Sequence, residues 1–260
     1  MRGIFTIYKR ELKSYFSTPI AYIILGAFLF FTGFFFYNIL SYFSLACIQS
    51  MQYAQMYRRP PTPMNVNSWV VQPFFYNLAV ISLFLIPLLT MRSFAEEKRL
   101  GTLELLITAP ISNTALVLGK FLAAYTMFLV MLGFTFIYQA ILFILGEPDF
   151  MPILTGYIGF ALMGAGFVAL GLFMSAITEN QILSAILSFG ALLVFWVVNW
   201  ASVVSGGWLS EALNYLSVST HFGFFARGVV DSSGIIYFLS FATLGLFLTG
   251  QALESWRWRG

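Results

Sequence analysis

Six stretches of this chain, residues 19–43, 70–91, 114–145, 152–178, 181–204 and 235–253, are long and mainly apolar, and nothing else in the sequence limits the fold as tightly. About 20 such residues in a helix cross the roughly 30 Å of hydrocarbon in a bilayer. Lipid offers no hydrogen bonds, so a lone apolar stretch must satisfy its own backbone, which only a helix does. Composition agrees: of 260 residues, 60% are hydrophobic, 30 are Phe, and only 9% are charged, against about 25% in soluble domains. The sequence predicts an all-α integral membrane protein with six transmembrane helices in a single domain spanning residues 1–260. Glu147-Pro148-Asp149 and Glu179-Asn180 read as turns, because both are too polar for lipid.

Charge placement sets the topology. Arg2, Lys9, Arg10, Lys13, Arg92, Lys98, Arg99, Lys120, Arg257 and Arg259 flank one side of the six spans, and only Arg58, Arg59 and Arg227 fall on the other. By the positive-inside rule both termini face the cytoplasm. The basic start followed by an apolar run lacks the cleavage features of a signal peptide and is expected to be retained. Two segments are then extracytoplasmic. Residues 44–69 contain Pro60, Pro61 and Pro63, which disfavour regular helix there and suggest a loop. Residues 205–234 hold short apolar runs, 212–216 and 222–225, suited to short re-entrant or interfacial helices.

Two segments on the basic side carry more than solubility. In residues 1–18, Ile4, Tyr8, Leu12 and Tyr15 recur at helical spacing while Lys9, Arg10 and Lys13 cluster elsewhere, the pattern of an amphipathic helix lying in the interface against membrane lipids. Residues 92–113 combine charges with an apolar pattern. Gly101 permits a sharp turn, Thr102 can cap a following helix, and Glu104 suits its positive end. Leu103, Leu106 and Ile107 supply an apolar face, and Pro110 ends the helix. A short amphipathic helix with this composition is a docking element, since a solubilising loop has no use for the Leu-Leu-Ile face.

The run Phe94-Ala95-Glu96-Glu97-Lys98-Arg99-Leu100-Gly101-Thr102-Leu103-Glu104-Leu105-Leu106, followed by Ala109-Pro110-Ile111, resembles the signature of ABC-2 type permeases, with the nearest likeness to gliding-motility and nitrous-oxide-maturation permeases. The opening Tyr8-Lys9-Arg10-Glu11-Leu12-Lys13-Ser14-Tyr15-Phe16 fits the same family. The resemblance implies that residues 1–18 are a connecting helix and that the segment near 94–110 is a coupling helix seated in an ATP-binding subunit. It implies that Glu96, Glu97 and Glu104 meet basic residues there, with Arg99 in the same segment and Glu179 as a further contact. It also implies ATP and magnesium on that partner rather than on this chain, and pairing with a second permease, identical or paralogous, in one subgroup with a subunit bearing a large outer domain. The expected function is ATP-driven export or extracytoplasmic work. The alternative is a membrane scaffold for envelope assembly or gliding motility with no cargo crossing.

Other classes lack their residues. There is no G-x-x-x-x-G-K-[ST] phosphate loop, no zinc pattern or long basic stretch for nucleic acid, and no paired Asp or His-rich set for an intramembrane protease. Span centres hold no ionisable residue of the kind that couples transport to an ion. Gln139 and Asn199 either face a pathway or bond neighbouring helices. Ala161, Ala165 and Ala169, with Gly164, Gly166 and Gly171, mark close helix packing, within one subunit or between two. His221 is a pH-sensing or an interfacial histidine. Cys47, the only cysteine, forms no intrachain disulfide.

Overall fold

In a computed structural model of the chain, which describes residues 2–58, 60, 64–103 and 112–257, all regular secondary structure is helical, and six helices are long and apolar enough to span a membrane. In order these are α1 (Arg2–Ser17), α2 (Pro19–Tyr57), α3 (Gln72–Thr90, entered through a π-helical turn at Asn67–Val71), α4 (Ala95–Arg99) and α5 (Asn113–Phe134). They continue as α6 (Phe136–Leu145), α7 (Phe150–Ile177), α8 (Gln181–Val204), α9 (Trp208–Leu216), α10 (Val218–Ala226) and α11 (Ser232–Arg257). The spans are α2, α3, α5 with α6, α7, α8 and α11.

Helix α7 is the axis of the bundle and packs against α3, α5, α8, α10 and α11. Its sequence explains why. A Cβ added at Gly159, Gly164 or Gly166 would lie 2.4, 2.0 or 2.5 Å from Phe225, Phe128 or Phe241, so these glycines are the sockets for aromatic rings of three neighbours. Further along, Ala169 meets Gly245 of α11 backbone to backbone, and Gly171 meets Thr90 of α3. The small-residue stripe is thus used for packing inside one subunit, where close approach replaces the missing hydrophobic drive between helices in lipid. Of the most apolar stretches, 67% is buried in α3 and in α7 but only 28% in α2 and 17% in α8, which makes the last two the outer helices. Their exposed faces are large and apolar, with Phe30, Phe31 and Phe34 on α2 and Ile186, Val194 and Trp200 on α8.

The segment after residue 43 differs from the expected loop: α2 continues for 14 residues to Tyr57 and ends where Arg58 takes the left-handed conformation at φ 51°. The prolines that disfavour helix begin only at position 60, so nothing in 44–57 stops propagation. The third span, expected as one helix, bends at Thr135, whose Oγ1 turns back to the Leu132 carbonyl at 2.7 Å and also meets Tyr157 Oη at 2.9 Å. The predicted short helices before the last span are present as α9 and α10. Ser217 caps α10, Ser219 donates to Trp196 O of α8 at 2.9 Å, and Tyr237 of α11 donates to Leu216 O at 2.7 Å. Thr155, near the start of α7, donates to Phe225 O of α10, so these helices close the end of the bundle opposite α4.

Candidate functional site

Both ends of the described chain meet at one end of the bundle, around α4. Its local fold follows from its neighbours. Ser175, fully buried near the end of α7, accepts from the backbone N–H groups of Phe94 (3.0 Å) and Ala95 (3.1 Å) and donates to Met91 O (3.0 Å). One side chain therefore satisfies both donors at the start of α4 and a carbonyl at the end of α3, groups that burial would otherwise leave unpaired. Lys98 reaches inward as well. Its ammonium donates to Ala176 O at the C-terminal end of α7, where the helix dipole is negative, and lies 4.3 Å from the centre of the Trp256 ring on α11.

The opposite side of α4 is held by charge. Lys120 of α5 is only 2% exposed, and its Nζ lies 2.8 Å from Glu97 Oε1 and 3.2 Å from Glu11 Oε1 of α1. Arg10 closes the network, 2.7 Å from Glu11 and 3.4 Å from Glu97. Burial alone would raise the Glu11 carboxyl, but Lys120 and Arg10 outweigh it and hold the group below its ordinary value. Four side chains from three helices, α1, α4 and α5, thus form one unit, and α4 is fastened through it and through Ser175 and Lys98 to α1, α5, α7 and α11.

The sequence-expected residues divide between the two faces of this unit. Glu96 is partly exposed, Arg99 and Leu100 are exposed, and neither Glu96 nor Arg99 has an ion pair among the described residues. Glu97 points inward to Lys120, and Leu103 is 2% exposed in the core, so neither lies on the open face. Gly101 makes the expected turn at φ 69°, and Thr102 Oγ1 donates to Glu97 O at 3.3 Å. Glu179 is exposed in the turn before α8, whose first N–H groups are capped by Asn180. Glu104, Leu106 and Pro110 lie outside the described residues.

Helix α1 has a packed face where a lipid-facing one was expected. Ile7, 3% exposed, presses on Gly119 of α5, and Tyr8 Oη meets Thr126 Oγ1 at 3.3 Å. Tyr15 donates to Leu89 O of α3 at 3.3 Å. Lys9, Arg10 and Lys13 stay on the exposed side. The missed partners, Glu11, Lys120 and Ser175, carried one usable signal: two lone charges within reach of a membrane boundary need counter-ions.

The pathway candidates separate too. Gln139 is buried within the bundle at 3% exposure. Asn199 lines a cleft of about 300 Å³ with Tyr76, Asn77, Trp196 and Ser219, and its Oδ1 is buried without a partner. At the far end, His221 donates from Nε2 to Tyr215 O at 3.0 Å and stacks on Tyr237 at 4.2 Å. Cys47 is free and 3.8 Å from Met64 Sδ.

A helical bundle with six helices long and apolar enough to cross a membrane is the architecture of a multi-pass membrane protein. Residues 5–243 match the family of ABC-2 family transporter proteins, and the chain belongs to that family. It is accordingly a permease subunit of an ABC exporter, a membrane component that pairs with an ABC ATP-binding subunit. A comparison with curated proteins found no match.

Proposed function

We propose that the α4 end of the bundle faces the cytoplasm of a bacterial inner membrane and receives the ATP-binding subunit through Glu96, Arg99, Leu100 and the segment 104–110, with Glu179 as a second contact. The observation that carries this reading is the division of α4: Phe94, Ala95, Glu97 and Lys98 are committed inward, whereas Glu96, Arg99 and Leu100 are presented outward. A push on the outer face reaches α7 and α11 through Ser175 and Lys98, and α1 and α5 through Glu97. ATP and Mg²⁺ belong on the partner. Nucleotide-driven closure of two such partners would shift two permeases, identical or paralogous, relative to one another. The gliding-motility and nitrous-oxide-maturation subgroup remains part of this proposal.

One observation favours a second reading, transmission of motion to an outer partner without cargo. Helix α2 has 39 residues, about 58 Å of helix against roughly 30 Å of hydrocarbon. Its last turns carry exposed Met51, Tyr53, Met56 and Tyr57. An outer subunit with a large extracytoplasmic domain would cover them.

The test is co-purification with the ATP-binding subunit, comparing wild type with Arg99→Glu plus Glu179→Arg, two exposed positions outside the cavity beside α4. Both lie on the surface, so the isolated permease should elute and melt as wild type while the complex weakens about tenfold or more. An unchanged complex removes α4 from the docking surface. Transport into inverted vesicles then separates the two readings, since only the first requires ATP-dependent movement of cargo.

A further inference from the structure

Behind α4 lies a cavity of about 720 Å³ between α1, α2, α3 and α5. Its charged lining is balanced: Arg10, Arg92 and Lys120 against Glu11, Glu96 and Glu97. Four of these six groups neutralise one another in the network described above. Arg92 and Glu96 do not. Neither makes an ion pair among the described residues, they are not paired with each other, and the Arg92 Nε is buried with no hydrogen-bond acceptor. A guanidinium N–H withdrawn from water and left unmatched is costly, and a ligand oxygen would satisfy it. The rest of the lining mixes the hydroxyls of Ser14, Tyr15, Thr18, Ser93 and Thr102 with an apolar patch, Ile20, Ala21 and Ile24 from the start of α2 and Leu88 and Leu89 from the end of α3. Those turns lie where the two spans enter the membrane at the α4 end. The cavity thus joins one cation and one carboxylate without ion pairs among the described residues to an apolar patch at the α4 ends of two spans.

We propose that this cavity binds the headgroup of a zwitterionic phospholipid of the phosphoethanolamine type, its phosphate on Arg92, its ammonium on Glu96 and the start of its acyl chains against Ile20, Ile24 and Leu88. A net anion suits the site less well, because the lining charges cancel and Glu96 would be left facing it. The inference needs only the membrane placement of the chain; it shares Glu96 with the proposed docking face, and its test therefore uses the permease without the ATP-binding subunit.

The experiment uses the full chain, purified in detergent and stripped of lipid, with bound lipid read by native mass spectrometry. Wild type should retain one dioleoylphosphatidylethanolamine with about tenfold higher affinity than dioleoylphosphatidylglycerol. Arg92→Gln should lower that affinity about tenfold or more, the loss of a charge-assisted hydrogen bond, and Arg92→Lys should recover part of it. Glu96→Gln should abolish the preference over phosphatidylglycerol. Helical content and elution volume establish that the variants are folded, and the comparison of the two lipids on wild type needs no variant at all. Equal retention of both lipids by wild type, or unchanged affinity in folded Arg92→Gln, overturns the proposal. So does full competition by glycerophosphoethanolamine, which has the headgroup but no chains, because the site would then take a free phosphate compound rather than a lipid.

Discussion

Replacing Lys120 by Met tests how α4 is held. Met has similar length and no charge, so the change removes the ammonium with little change in packing volume. Glu97 Oε1 and Glu11 Oε1 both touch that ammonium, at 2.8 and 3.2 Å, so they lie within about 6 Å of each other. Without the cation two carboxylates face one another. At an effective dielectric of about 20, two like charges about 6 Å apart repel by roughly 3 kcal/mol. Arg10 remains, but it is half exposed and 3.4 Å from Glu97, so it offsets only part of this. Removing one partner of a buried pair costs about 3–5 kcal/mol in general, and the lower half of that range is expected here. For a chain of this size that is a fall of about 6–16 °C in melting temperature. The assay is thermal unfolding of the detergent-purified chain followed by Trp fluorescence. Lys120→Met, Glu97→Gln and the pair together form a double-mutant cycle, in which the second change relieves the repulsion and the coupling should reach about 1–3 kcal/mol. A Lys120→Met chain melting within about 2 °C of wild type, with additive effects in the cycle, would refute the claim that this network fastens α4.

Two further outcomes follow from packing. Ser175→Ala leaves the N–H groups of Phe94 and Ala95 without their buried acceptor and should cost about 1–3 kcal/mol by thermal unfolding, while limited proteolysis should cut first in the segment after Thr90. Gly164→Ala places a methyl 2.0 Å from Phe128, whereas a Cβ at Gly190 meets nothing within 4 Å. The first should therefore lose about 1–3 kcal/mol through overpacking, and Gly190→Ala should be neutral or slightly stabilising; equal effects at the two sites would contradict the packing of α7.

What the sequence determined by itself was whatever lipid imposes locally. Hydrocarbon forces each long apolar stretch into a helix, so the six spans and the polar turns at 147–149 and 179–180 are legible without knowing any neighbour. The turn at Gly101 and the cap at Asn180 are equally local, since each is set by the backbone within a few residues. Tertiary structure decided everything that depends on which helices meet. Glu96, Glu97, Lys98 and Arg99 are four consecutive charges with no difference in pattern. Only the positions of Lys120, Ala176 and Trp256 turn the middle two inward and leave the outer two without an ion pair among the described residues. The stripe Ile4, Tyr8, Leu12 and Tyr15 announced an amphipathic α1 but not that its buried face, centred on Ile7, would rest on α5. An apolar face records that it must leave water, and the hydrophobic effect, having no direction, does not record whether lipid or protein will cover it.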